Sequence, residues 1–313
     1  VIGESTTAQT TATINDILDN TVTSPQTVSY TITPTSPLGC VGNAATSTIL
    51  LNYVDAGVIS SDVTVCNGSD PSPITGTTPV GTGTTSYLWQ SSNNGGATWT
   101  NIGTNGTRAS YDPPAGISAS TCFRRIVTFS SNGTSCQATS NMVCITVNNV
   151  SPGSNNAAQN LCSGDDPTAL NVDSGSTGTG TTSVIWQQSS NPTGPWTSIS
   201  GQTGPSYDPP VLSSTTYYSI MATSVLNGVS CSANTPAIAI TIFNLNPGSI
   251  SSNQTICVGG DPVAFTSVAA TSNAPLVTYQ WQSSLDNTNW SNIPSATGAT
   301  YDPPVLSATT YYR

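Results

Sequence analysis

Three landmarks recur along this chain at nearly constant spacing, and that periodicity limits the fold more than any single residue does. Cys66-Asn67-Gly68-Ser69-Asp70-Pro71 returns as Cys162-Ser163-Gly164-Asp165-Asp166-Pro167 and as Cys257-Val258-Gly259-Gly260-Asp261-Pro262. Trp89-Gln90 returns as Trp186-Gln187 and Trp281-Gln282, and Tyr111-Asp112-Pro113-Pro114 as Tyr207-Asp208-Pro209-Pro210 and Tyr301-Asp302-Pro303-Pro304. Every offset is 94 to 97 residues, and a second tryptophan (Trp99, Trp196, Trp290) keeps the same step. The landmarks divide the chain into modules at 57–152, 153–247 and 248–313, each opening after a short joint: Asp55-Ala56-Gly57, Ser151-Pro152-Gly153, Asn246-Pro247-Gly248. Residues 1–56 lie outside the repeat and read as part of a different β module. Both ends read as cut within a module, so the sequence is expected to be an excerpt of something longer. Joints this short predict neighbours that touch rather than swing.

Within a repeat the apolar runs are short, rich in Thr, Val, Ile and Tyr, and separated by turn residues, which is strand grammar. In the first repeat this predicts strands near 58–66, 72–79, 85–92, 97–102, 108–111, 121–130 and 137–147. Seven strands in about 95 residues is the size of an immunoglobulin-like sandwich. Val143, Ile145 and Val147 share one face, as do Ile238, Ile240 and Ile242 one repeat later. The expected fold is all-β: a linear tandem array of immunoglobulin-like β-sandwich modules with little or no helix, extending on the order of 130–150 Å. Asn93-Asn94-Gly95-Gly96 has the backbone tolerance that a hairpin loop needs. The donorless prolines of Tyr-Asp-Pro-Pro predict an edge or a crossing between sheets. Trp89, Trp186 and Trp281, each with an apolar residue two positions earlier, are core anchors. Trp99, Trp196 and Trp290 follow a variable loop and are expected to be half exposed. They serve sheet packing or, as the sharper alternative, a contact surface.

Eight cysteines in a chain without lysine point to an oxidising compartment. Cys66 corresponds to Cys162, and Cys136 to Cys231. The 153–247 module holds only the second pair. Cys162–Cys231 is therefore the simplest bridge there, and Cys66–Cys136 its equivalent. Each would tie the first strand to the start of the last, worth roughly 4 kcal/mol in the chain-entropy model. Cys122 and Cys144 have their midpoint at Gly133, inside the turn-forming Ser131-Asn132-Gly133-Thr134, so they should face each other across the last two strands. Cys40 and Cys257 are unpaired within the excerpt and are expected to bond outside it.

Composition removes whole function classes. The formal net charge is −10, with four basic residues (Arg108, Arg124, Arg125, Arg313) and no histidine. Nucleic acid as a partner is excluded for want of a basic footprint. Histidine base catalysis, lysine Schiff bases and the P-loop lysine are all impossible. No apolar run reaches the length of a membrane span. No C-x-x-C spacing marks a metal site, and no cofactor is expected. Asp165-Asp166 is the densest carboxylate pair and the one candidate calcium loop, but its place in the repeat reads as a turn. Gly81-Thr82-Gly83 and Gly178-Thr179-Gly180 read as turns without the helix that a phosphate cradle needs. No catalytic residue is singled out, and the chain is expected not to be an enzyme.

The string Cys-x-Gly-x-Asp-Pro, Tyr-x-Trp-Gln-x-Ser, Trp-x-x-Ile, Tyr-Asp-Pro-Pro and Thr-Thr-Tyr-Tyr-Arg resembles the Ig-like repeats of very large surface proteins of Bacteroidota, such as gliding-motility adhesins of the SprB kind exported by type IX secretion. Residues 57–313 carry that likeness. Cys122 departs from it at the first tyrosine of Tyr-Tyr-Arg, and Ser219 at its arginine. The stretch from Ala12 to Asn20, then Gln26 to Pro34, then Gly39-Cys40 resembles a PKD-like domain. The resemblance implies an extracellular, cell-surface location and three readings. These are the non-catalytic stalk of a cell-surface adhesin, a segment of an extracellular filament, and an accessory binding region of a secreted enzyme. The implied partners are neighbouring modules of one long chain, and surface polysaccharide or other copies in a filament.

Overall fold

The computed structural model describes residues 1–10, 13–155, 158–251 and 253–313; Ala12, which opens the PKD-like stretch, lies outside them. The described residues hold strands and no helix. They fall into two compact bodies. The first comprises Val1–Val150 with Gly178–Thr181 and Ser224–Cys231; the second comprises Ser151–Thr177, Thr182–Thr223 and Ser232–Arg313. Two short segments of the second repeat therefore belong to the body of the first.

In the first body, β1 (Gln26–Ile32) and β2 (Ala45–Leu51) form an antiparallel ribbon with Gln26 opposite Leu51 and Ile32 opposite Ala45. The first repeat then contributes β3 (Val63–Cys66), β4 (Thr84–Ser92), β5 (Thr100–Asn101), β6 (Thr121–Ser131), β7 (Thr134–Thr139) and β8 (Val143–Asn148). They form one sheet in the order β3-β8-β6-β4-β5, with β7 continuing on β6. The facing layer is held by bridges from Ile59 to Gly76 and from Ile74 to Tyr111. The run expected as one strand over 58–66 thus divides between the layers. The run over 137–147 also divides, because the Arg125 N–H donates to the Ser140 hydroxyl at 2.9 Å and the ladder slips by one residue before β8 begins. Asn132 and Gly133 both adopt positive φ (48° and 79°), as a two-residue hairpin turn between right-twisted strands requires.

Packing follows the alternation. Val143, Ile145 and Val147 of β8 are buried, and the first two pack in one cluster with Ile59, Ile74, Trp89, Tyr111 and Phe123. Trp89 is wholly buried, and its indole N–H donates to the Arg108 carbonyl at 2.9 Å, which satisfies the one polar atom that burial would strand. Tyr111 packs between Trp89 and Phe123, with ring centroids 5.7 and 5.4 Å away. The Tyr-Asp-Pro-Pro motif therefore supplies a core aromatic as well as a chain crossing. A second cluster of Ala56, Val127 and Phe129 fills the end of the sandwich nearest the first module.

The second repeat carries β9 (Val150–Ser151), β10 (Ser154–Asn155), β11 (Gln159–Cys162), β12 (Leu170–Ser174), β13 (Thr177–Gly178), β14 (Thr181–Ser189), β15 (Thr197–Ser198), β16 (Ser206–Tyr207), β17 (Thr216–Leu226), β18 (Val229–Asn234) and β19 (Ile238–Phe243). Its sheet repeats the order as β11-β19-β17-β14-β15, and β10-β12-β16 form the facing layer. Trp186, Tyr207, Tyr218, Ile238, Ile240 and Ile242 make the equivalent core. The third repeat contributes β20 (Leu245–Asn246), β21 (Ser249–Ile250), β22 (Ser267–Val268), β23 (Thr271–Ser272), β24 (Gln282–Ser284), β25 (Ser291–Asn292) and β26 (Tyr311–Tyr312), with Trp281 buried against Phe265 and Tyr301.

The cysteines correct the sequence reading. Cys122 is bonded to Cys144, directly across β6 and β8. Cys66 is bonded to Cys231, not to Cys136, and Cys162 is not bonded to Cys231; Cys40, Cys136, Cys162 and Cys257 are free thiols. The reason is the length of the sandwich. Cys66 lies opposite Asn148 at the trailing end, where β8 leaves for the next module. Cys136 lies opposite Phe129 at the leading end. Following the register from Phe129 to Thr121 and from Ile145 to Asn148 separates them by about eleven residue steps, or about 36 Å. A disulfide tolerates Cα atoms no more than about 7 Å apart. Cys66 and Cys231 are 5.6 Å apart.

Candidate functional site

The polar residues whose placement most needs explaining gather where one module meets the next. Each junction uses one side chain at an equivalent repeat position: Thr82, Thr179 and Asn273. Thr82 donates its hydroxyl to the Asn52 amide oxygen at 2.7 Å, and Asp55 and Val80 exchange main-chain hydrogen bonds beside it. Thr179 accepts from the Asn149 N–H at 2.6 Å, and its own N–H donates to the Asn149 carbonyl at 3.0 Å. In the second body, Asn273 accepts from the Asn244 N–H at 2.7 Å and donates to the Ile242 carbonyl at 2.8 Å. The strand leaving one module is thus clamped by the loop before the third strand of its successor.

The first body holds two stronger locks. Asn148 is fully buried. Its amide donates to the Ser224 and Val229 carbonyls at 2.8 and 3.0 Å, and its oxygen accepts from the Ser224 hydroxyl at 2.7 Å. These bonds fix the β17–β18 hairpin against the trailing end of β8. Cys66–Cys231 crosses the same surface, and Asn227 donates to the Thr64 hydroxyl at 3.0 Å. The second lock is Arg125, which is 1% exposed. Its guanidinium donates to the Ala56 and Ala109 carbonyls at 2.7 Å each and to the Thr77 carbonyl at 3.0 Å, with the Tyr87 ring 5.4 Å away. Burial holds its pKa below the usual arginine value, with the Tyr87 charge opposing. Ala56 belongs to the joint itself, so this buried cation ties the connecting segment to the repeat.

Sequence reasoning missed Asn148, Ser224 and Arg125. The junction threonines carried a signal, since Gly81-Thr82-Gly83 and Gly178-Thr179-Gly180 share one phase. Arg125 had none, because the second repeat places Ile220 there.

Trp99, Trp196 and Trp290 are all half-buried and sit at one place in their repeats, beside the strand pairs Gln90–Asn101, Gln187–Ser198 and Gln282–Asn292. The Arg124 guanidinium lies 4.3 Å over the Trp99 ring and donates to Gln90 at 2.7 Å. Arg313 does the same to Trp290 and Gln282 at the same two distances. These stacks occupy one face of each indole, a geometry worth about 0.5–1 kcal/mol where exposed. Ser219 removes the arginine from the second repeat, and Trp196 has no such cover.

Two carboxylates serve turns. Asp165 accepts from the Cys162 N–H at 3.0 Å and closes the Cys-x-Gly turn. Asp286 accepts from the Asn289 and Thr288 N–H groups and from the Ser284 hydroxyl, which holds its pKa far below the usual carboxylate range, Asn289 contributing most. Among the described residues no group of three His, Cys, Asp or Glu side chains converges as a metal site. Among the described residues no helix is long and apolar enough to cross a membrane.

The sequence profile described as "Domain of unknown function (DUF8696)" matches residues 55–149, 151–244 and 246–313, and that of a PKD-like domain matches 1–54. A search of curated proteins finds no match. Among solved structures, the chain is similar to the three N-terminal domains of the bacteriophage RB49 highly immunogenic outer capsid protein. That likeness has 11% identity over 79% of this chain and 82% of that one, with a TM-score of 0.33. It is also similar to the I-band fragment I67–I69 of titin (11% identity, 78% and 82% covered, TM-score 0.34) and to Sidekick-1 immunoglobulin domains 1–4 (12%, 82% and 79%, TM-score 0.26). At those TM-scores the likenesses carry no functional argument. With most of its length matched in three successive copies, the chain belongs to the DUF8696 family, its repeats preceded by a PKD-like domain.

Proposed function

We propose that the chain is a non-catalytic stalk segment of a very large adhesin on the surface of a Bacteroidota cell, exported by type IX secretion and used in gliding or attachment. The observation that carries this reading is the junction between the first two repeats. A buried, fully hydrogen-bonded asparagine and a covalent bond join one module to the next there. Such a joint passes tension from module to module and costs the chain flexibility that a mere linker would keep. The disulfides fit an oxidising, extracellular setting. The resemblance of residues 57–313 to surface-protein repeats supplies the biological setting. A second reading, a segment of an extracellular filament, is supported by the same junction.

The test is made on cells that carry the gene. Antibody raised against residues 151–244 should label intact cells, and external protease should remove the label. An in-frame deletion should reduce spreading on a surface while growth in suspension is unchanged. Label found only after lysis would overturn the surface assignment. Surface label with unimpaired spreading, together with fibres that disappear in the deletion strain, would favour the filament.

A further inference from the structure

The bonded pair Cys66–Cys231 joins two different places in the repeat. Cys66 opens the turn that follows β3 at the trailing end of the sandwich, and Cys231 lies on the β17–β18 hairpin at the leading end of its own repeat. The turn cysteine occurs in each of the three repeats, in one backbone geometry. The Cys66, Cys162 and Cys257 carbonyls each accept a turn hydrogen bond from the residue three positions later, at 3.1, 3.1 and 2.8 Å. The glycines at Gly68, Gly164 and Gly259 all have positive φ. Cys162 lies opposite Phe243 in the parallel pair β11–β19, as Cys66 lies opposite Asn148 in β3–β8. Cys162 and Cys257 are exposed thiols.

We infer that the two cysteine positions are the halves of one periodic staple: the turn cysteine of each repeat bonds the hairpin cysteine of the module that follows. Cys66–Cys231 is the first instance. Cys162 is the forward half of the next, because the hairpin position of the third repeat, about 95 residues beyond Cys231 by the repeat spacing, falls past Arg313. Cys257 stands in the same relation to a further module. Cys136 is the exception that the rule must accommodate. Among the residues before it, Cys40 lies on the loop closed by the Thr35–Val41 bridge. That loop is at the far end of β1 and β2 from the junction, about 20 Å of strand away. Cys136 is therefore out of reach of Cys40 and is a free thiol.

Each staple forms by oxidation of two thiols to one S–S bond. The two electrons and two protons pass to a donor disulfide, of an oxidoreductase or of a small thiol, which is reduced to two thiols. The consequence reaches beyond the adhesion reading and does not depend on it: the number of rigid junctions in the array is set by redox state.

The experiment is a disulfide map of the protein purified from cells, alkylated while folded and then digested for mass spectrometry. The expected result is Cys66 linked to Cys231, Cys162 linked to a cysteine of the following repeat, and Cys136 alkylated. A Cys162–Cys231 or Cys66–Cys136 peptide, or an alkylated Cys162, overturns the rule. A second arm uses Cys231→Ser in the 313-residue chain, oxidised with a glutathione redox pair. Both Cys66 and Cys136 should then be alkylated in full. Formation of Cys66–Cys136 in that variant overturns the inference even if the natural protein is too scarce to map.

Discussion

Breaking the inter-repeat bond should uncouple two modules rather than weaken one. The perturbation is Cys66→Ser with Cys231→Ser in the whole chain. The bond closes a loop of 165 residues, and in the chain-entropy model a loop of that length restricts the unfolded state by about 5 kcal/mol at 25 °C. Calorimetry of the oxidised chain should show the first two repeats melting as one transition. The double variant should lose up to that amount and melt in separable steps, with the lower midpoint reduced by on the order of 10–20 °C. Forced extension gives an independent length. While the bond is intact, the chain between Cys66 and Cys231 is shielded from the pulling force. The variant keeps Cys122–Cys144, which still shields 22 residues of that segment, so the fully extended oxidised protein should be shorter than the variant by about 470–510 Å. Equal extended lengths would refute the pairing. Equal stability, with the bond verified in the parent, would refute the entropic argument and leave the staple a purely mechanical part.

Asn148→Ala removes three hydrogen bonds made by a fully buried side chain and takes the acceptor from the Ser224 hydroxyl, so it should cost about 2–4 kcal/mol in denaturant unfolding; combined with Ser224→Ala, the two losses should fall short of additive by about 1 kcal/mol. Tyr218 is fully buried, its hydroxyl is without a partner, and burial pushes its pKa up to about 12. The protonated phenol is favoured in the native state, so this stabilisation is whole below the ordinary value near 10 and is lost as pH rises through 12, about 3 kcal/mol in all. Tyr218→Phe, the choice the first repeat makes at Phe123, should abolish that alkaline loss and leave neutral-pH stability unchanged or raised by about 1 kcal/mol. Asp286 works in the opposite sense: its depressed pKa gives a stabilisation present above about pH 4 and lost on acidification, which Asp286→Asn should flatten in an acid titration of the third repeat.

The all-β fold, the long central strands and the core were legible in the sequence because each follows from local pattern. Alternation placed Val143, Ile145 and Val147 inward, and recurrence at one phase marked Trp89, Trp186 and Trp281 as core. The Asn132-Gly133 turn brought Cys122 near Cys144 because hairpin register is a local property. Arg124 and Arg313 stack on Trp99 and Trp290, a contact set by cross-strand register that the spacing of the tryptophans alone does not show. The partner of Cys66 was a different kind of question. In a chain that repeats every 95 or so residues, Cys136 and Cys231 are the same position one period apart, and no alignment of repeats distinguishes a bond within a module from a bond to the next. Only the placement of Cys66 and Cys136 at opposite ends of a sandwich about 36 Å long decides it. Asn148 and Arg125 were hidden for the same reason: their acceptors are main-chain carbonyls of distant segments, which carry no side-chain signature. Sequence determined what each module is, through interactions that close within a few strands. Tertiary structure decided how modules are joined, because a junction is made where the ends of two sandwiches come together, and that proximity is written in neither repeat alone.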